Sequence, residues 1–209
     1  RSHLLTVPKC ISECGGIRIF GRRIKSLVFS TDVAIIKNVN ADAIIAVYPF
    51  TPQPSITQAI ISVSEVPVFV GVGGGMTNGD RSVRLAEYSE HQGASGVVVN
   101  APISNETIAK MKAVVDIPVV TTIVSGDMDI AGRLAAGADI LNVSGASKTP
   151  EIVAKIRAEF PTVPIIATGG PTEESILRTI QAGANAITYT PPSNGVLFAR
   201  IMNQHRKAL

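Results

Sequence analysis

Two phrases recur along this chain at a nearly fixed distance, and that repetition limits what it can fold into. VPVFVGVGGG starts at Val66, IPVVTTIVSG at Ile117 and VPIIATGGP at Val163, 51 and 46 residues apart. Between them lie GASGVVVNAP from Gly93, GADILNVSGAS from Gly137 and GANAITYTPP from Gly183, spaced by 44 and 46. NADAIIAVYP from Asn40 is a weaker fourth copy of the second phrase. A period of this size marks one supersecondary unit used repeatedly. In the first phrase Pro opens a strand, where its missing N–H does little harm. The β-branched run after it reads as a parallel strand buried on both faces. In the second phrase Gly-Ala closes a helix, with Gly supplying the left-handed C-cap.

Strands of the two kinds therefore alternate, each followed by a helix. The pattern predicts strands at Ser26–Ser30, Ala43–Pro49, Val68–Gly73, Gly96–Ala101, Val119–Val124, Ile140–Ser144, Ile165–Thr168 and Ala186–Thr190. The segments SNETIAKMKAVV, KTPEIVAKIRAEF and TEESILRTIQAG have the spacing of amphipathic helices. Eight βα units with short connections point to a (β/α)8 TIM barrel. A doubly wound open sheet would not explain the pairwise pitch. The 209 residues are expected to form a single domain over 1–209, with a leading helix near Val7–Cys14 capping the barrel's bottom.

Composition agrees with such a core: 45% of residues are hydrophobic, 17% are charged, and there is no Trp. No run of 18 uncharged apolar residues occurs, so a membrane segment is not expected. The net charge is +3 and the basic residues are scattered, apart from Arg22-Arg23-Lys25. A nucleic-acid surface would show a basic stripe with interleaved aromatics, and none is visible. Cys10 and Cys14 are too few for a secreted disulfide framework and lack His neighbours for a metal. Four residues apart, they share a helix face and read as packing residues. The opening RSHLLTVPKC lacks the apolar core of a secretory signal. The expectation is a cytoplasmic protein with no cofactor and no metal. The apolar helix faces would allow a homodimer.

In a (β/α)8 barrel, chemistry sits just past the C-terminal ends of the strands. Those positions here are rich in hydroxyl, amide and glycine and poor in charge. His3, His91 and His205 all fall elsewhere and read as surface residues. The titratable candidates are Asp32, Asp80, Asp127, Asp129 and Lys148. The Gly-rich corners suggest anion binding, because Gly lets backbone N–H groups converge at a helix N-terminus. Thr168-Gly169-Gly170, with Pro171 next, is one such corner, and Ser193-Asn194-Gly195 is another. A tight turn is the competing explanation, and Glu173 and Glu174 would repel a phosphate. GVGGG after the third strand reads as a flexible loop or lid.

Residues 137–195 resemble the ribulose-phosphate-binding barrel group. That group includes thiamine-phosphate synthase, the 2-keto-3-deoxy-6-phosphogluconate aldolases and the N-acetylmannosamine-6-phosphate epimerases. The likeness lies in FPTVPIIATGGPTEESILRTIQAGANAI, where a strand ends in Thr-Gly-Gly and a helix ends in Ala-Gly-Ala. The resemblance implies phosphorylated small-molecule chemistry. The aldolases' Schiff-base Lys would fall on the sixth strand, where this chain has Asn142. Lys148, four residues past Ser144, reads as a surface residue or phosphate contact.

The expected function is a lyase or isomerase acting on a phosphorylated metabolite. Gly145, Gly169, Gly170, Ser193, Asn194 and Gly195 would bind the phosphate. Asp32 would be the general acid or base, with helix capping as its alternative role. Asn100, Asn142 and Thr168 would orient substrate or stabilise an oxyanion. A non-catalytic metabolite-binding barrel is the alternative, favoured by the charge-poor rim. A hydrolase ranks third, since no Ser-His-Asp or metal-ligand set is visible.

Overall fold

The computed structural model describes residues 5–207. His3 lies outside them. Eight parallel strands close into a barrel: β3 (Ser26–Phe29), β4 (Ala43–Ala46), β5 (Val68–Gly73), β6 (Gly96–Val99), β7 (Val119–Ile123), β8 (Ile140–Val143), β9 (Ile165–Thr168) and β10 (Ala186–Tyr189). They pair in chain order, and β10 closes onto β3. The helices that follow them are α1 (Val33–Lys37), α2 (Pro54–Val63), α3 (Gly79–His91), α4 (Asn105–Val114), α5 (Ile130–Ala135), α6 (Thr149–Glu159), α7 (Glu173–Ala182) and α8 (Asn194–Lys207). The (β/α)8 barrel expected from the repeat is the fold observed.

The strands alternate because both faces are buried, each in a different layer. Outward residues such as Ile44, Val70, Val97 and Val119 pack under the helices in one cluster. Ile123, Leu141, Ile165 and Ile187 do the same on the other side. Inward residues Leu27, Ala43, Ile45, Phe69, Val98, Val120, Ile140, Ile166 and Ala186 fill the barrel itself. Phe69 is fully buried at the centre, and Gly96 leaves room for it: a Cβ there would lie 2.5 Å from the Phe69 ring.

The bottom is closed differently from expectation. The stretch Lys9–Glu13 is a 3-10 helix that packs beside α7, with Cys10 and Cys14 buried in that outer layer. Burial pushes the Cys14 thiol up to about 11, against the pull of Lys25. The plug is instead an antiparallel hairpin, β1 (Ile17–Ile19) and β2 (Arg22–Ile24). Ile17, Ile19 and Ile24 join the barrel interior, while Arg18, Arg22 and Arg23 face out. Phe20 and Gly21 both have positive φ, 48° and 79°, as a two-residue turn matching strand twist requires. Arg157, on α6, fastens the same end. Its guanidinium donates to the carbonyls of Phe160, Pro161, Val163 and Gly183 and to Asn185 Oδ1.

No helix among the described residues is long and apolar enough to cross a membrane.

Candidate functional site

With the bottom plugged, the barrel opens only at the strand C-termini. A cavity of about 520 Å³ lies there. Its walls divide by strand. On the β3–β6 side stand Phe29, Ile45, Val47, Gly71, Gly73 and Val98, with Tyr48, Phe50 and Met76 from the loops above. On the β7–β10 side stand Thr122, Asn142, Thr168 and Thr188, continued by Ser144 and Thr190. Asn100 sits between the halves. Gly71, two residues past Phe69 and beside Val47 in the lining, presents no side chain there, while Gly73 is fixed by packing, since a Cβ on it would meet Ser82 and the Thr77 carbonyl.

The polar half follows from sheet register. Thr122 pairs across from Asn142, and Thr168 from Thr188, so four neighbouring strands carry their first polar inward residue at the mouth. Asn142 Nδ2 donates to Thr122 Oγ1 at 3.3 Å. Asn142 Oδ1 and Thr188 Oγ1 are buried without a hydrogen-bond partner, as is Thr77 Oγ1 from the β5–α3 loop. These residues are 9%, 5% and 3% exposed. A buried polar atom without a partner is costly, and the three around this cavity leave bonds that an ordered water or a ligand can supply. Two other unpartnered atoms, Thr121 Oγ1 and Gln92 Oε1, belong to residues outside the cavity lining.

Among the described residues no Asp, Glu, Lys, Arg or His lines this cavity, and Tyr48 is the one ionisable side chain that does. The Tyr48 hydroxyl accepts from Gln53 N–H at 2.8 Å, which leaves its own proton free to donate inward.

A second cleft, of about 860 Å³, adjoins the mouth and shares Thr168, Thr188 and Thr190 with it. It holds the Gly169-Gly170 corner, Pro171, Glu173 and Arg178. The corner's amides are partly engaged. Gly169 N–H donates to Thr188 O, and Gly145 N–H donates to Thr149 Oγ1. Both glycines have a packing reason: a Cβ on Gly169 would lie 2.7 Å from Ile176, and one on Gly145 2.4 Å from Ile152. Gly170 has a φ of 76°, which favours glycine on its own account. Thr172 and Ser175 cap α7 reciprocally.

The remaining expected residues are scattered. Ser193, Asn194 and Gly195 are exposed at the start of α8, and Asn194 lines a different, apolar cleft with Leu5, Ile35, Leu197 and Phe198. They do not converge with Gly170. Asp32 Oδ1 accepts from Ala34 N–H and Ile35 N–H as the cap of α1 and lines neither cavity. Asp129 caps α5, Asp80 pairs with Lys110 at 3.3 Å, and Asp127 lies 3.9 Å from Lys155. Lys148, His91 and His205 are exposed. The structure thus brings Asn100, Asn142 and Thr168 together and leaves Asp32 apart. Sequence reasoning missed Thr188, Thr77 and the aromatic wall, and placed Tyr48 at the rim without giving it a role. Thr188 was readable, since it shares parity with inward Ala186.

Fold and cavity together define a (β/α)8 barrel with its one open mouth at the strand C-termini. No protein-family model matches the chain, and no curated protein does. Solved structures match at low identity. One is 2,3-dimethylmalate lyase, a PEP mutase/isocitrate lyase superfamily member, at 13% identity and TM-score 0.69 over 95% of this chain and 84% of that one. Another is phosphonopyruvate hydrolase in complex with oxalate and Mg++, at 16% and 0.65 over 88% and 80%. A third is oxaloacetate acetylhydrolase, at 11% and 0.67 over 85% and 79%. Such identities carry the fold alone, and the resemblance to the ribulose-phosphate-binding group stays at that level too. The Mg++ of that hydrolase complex has no matching donor set here. The mouth offers neutral amides and hydroxyls where a hard cation calls for carboxylates, and the described residues hold no cluster of three or more His, Cys, Asp or Glu.

Proposed function

We propose that the protein is a small-molecule enzyme of the lyase or isomerase type, working at the barrel mouth on a phosphorylated metabolite. The observation that carries the reading is the set of unpartnered buried atoms, Asn142 Oδ1, Thr188 Oγ1 and Thr77 Oγ1, around one cavity at the strand C-termini.

In this reading Asn142, Asn100, Thr168 and Thr188 orient the substrate by hydrogen bonds. Tyr48 takes the acid–base role in place of Asp32, because it is the ionisable group in the lining. The phosphate lies in the adjoining cleft with Gly170, where Arg178 offsets the repulsion of Glu173 in the same lining. Arg is suited to such an anion by charge and donor geometry. Gly145 and Gly169 take no part as amide donors, since their N–H groups are already engaged.

A second reading is a barrel that binds the metabolite without turning it over. The absence of any charged side chain from the mouth lining favours it.

Thermal melting against a panel of sugar phosphates, with inorganic phosphate as control, tests both. A ligand at a hundred times its Kd adds about 2.7 kcal/mol of stability. One sugar phosphate should raise the melting temperature, and Arg178→Gln should reduce that rise. Turnover of the same compound, lost in Tyr48→Phe, supports the enzyme; binding without turnover supports the second reading. No shift with any phosphorylated compound removes the phosphate from the proposal.

A further inference from the structure

We propose that the part of the ligand held inside the mouth is uncharged, carries hydroxyl groups, and has an apolar face, preferably a ring. This deepens the functional reading above and rests on its assignment of the mouth as the ligand site.

Charge comes first. No cationic or anionic side chain lines the cavity, so an ionised group lodged there would lose its water and gain only neutral hydrogen-bond partners, with no counter-charge. A phosphate or carboxylate is therefore confined to the adjoining cleft, where Arg178 stands.

Hydrogen bonding narrows the head group. One end of the Asn142 amide meets Thr122 Oγ1, and the other end is buried and unpartnered. If the amide is turned over, Thr122 donates to the oxygen and the free end becomes an NH2. A ligand hydroxyl satisfies either orientation, because it both donates and accepts. The Thr188 and Thr77 hydroxyls are equally served by a second hydroxyl. A carbonyl fits only one orientation of Asn142.

The opposite wall selects the body. Phe29, Phe50 and Met76 are 41%, 68% and 82% exposed, which is unusual for large apolar side chains. All three border the cavity mouth. A flat apolar face laid against them removes that surface from water, and aromatic and thioether groups favour ring partners.

The test uses a matched pair of probes: 1-phenyl-1,2-ethanediol, which is neutral, and mandelate, which has a carboxylate in place of the primary alcohol. Binding is titrated by ligand-observed NMR on the full-length protein. The diol should bind at least about tenfold more tightly than mandelate, the difference expected when one well-placed hydrogen bond is exchanged for an unpaired charge. Asn142→Leu, which removes the hydrogen bond and leaves the mouth as free of charge as before, should weaken the diol and leave mandelate no tighter. Thr188→Val, nearly isosteric, should weaken the diol as well, and it guards against misfolding of the Leu variant. Ethylbenzene, which keeps the ring and lacks hydroxyls, should bind more weakly than the diol.

Mandelate binding as tightly as the diol would overturn the proposal. So would a diol affinity unchanged in both variants, or no binding of the diol. The phosphorylated-substrate reading fails separately. If the diol binds as described and no sugar phosphate raises the melting temperature, the neutral mouth stands and the phosphate falls. If a sugar phosphate stabilises the protein while mandelate matches the diol, the reverse holds.

Discussion

Asp32 Oδ1 accepts two backbone N–H groups at the start of α1, at 2.9 and 3.2 Å, which are the bonds of a helix cap. Replacing it by Ala should cost about 1 kcal/mol of stability in urea unfolding and leave ligand affinity as it was. A loss of ligand binding without loss of stability would return Asp32 to the site. The residue illustrates what a sequence conceals at this scale. Its position past the first barrel strand made it a candidate base, yet STD before VAIIKN is also a capping sequence. Only the direction of the side chain decides between them. Asn142 and Thr168 were legible, because a polar residue at the C-terminal end of a buried strand faces the mouth or else stays unsatisfied. Thr188 obeys the same rule and was overlooked in a stretch dominated by the prolines after it. Tyr48 and Phe50 were invisible as a wall, since loop side chains take their aim from tertiary packing.

Among the elements, the strands were the most legible. Each begins at the residue expected from the repeat, and the differences lie at the far ends. The second was expected to reach Pro49 and stops at Ala46; the fourth was expected to reach Ala101 and stops at Val99. Past those points the chain leaves the ladder to build the mouth. The hairpin was missed, although IRIFGRRI alternates with a Gly turn at its centre. Three residues per strand are too few to stand out against a repeat of 46. Arg157 was missed as well, because a carbonyl clamp has no local sequence sign. It binds five acceptors drawn from the α6–β9 connection and the turn before β10. Burial holds its pKa below the ordinary arginine value, and it stays charged. Arg157→Ala leaves those acceptors unpaired and should cost about 2–4 kcal/mol of stability, read by denaturant unfolding. A cost within about 0.5 kcal/mol, as for an ordinary surface change, would show that water replaces the clamp readily.

At the scale of the whole molecule, one end of the barrel is filled and the other is open. The isoleucines of the hairpin lie below Phe69, and Gly71 of β5 leaves space above it. The open end is divided along the chain, mostly apolar from β3 to β6 apart from Thr77 and the Tyr48 hydroxyl, and hydroxyl- and amide-lined from β7 to β10. In the proposal above, the ligand binds in this divided mouth. The chain's four methionines allow a direct test. Met76 stands at the mouth, Met111 is buried in the outer layer, Met128 lies in the β7–α5 loop, and Met202 is on α8. With the methionine methyl groups carbon-13 labelled, adding phenylethanediol should shift the Met76 methyl resonance and leave that of Met202 in place. The same should hold for any sugar phosphate that raises the melting temperature. A saturable shift at Met202 or Met128 with Met76 unmoved would put the ligand elsewhere and contradict the account.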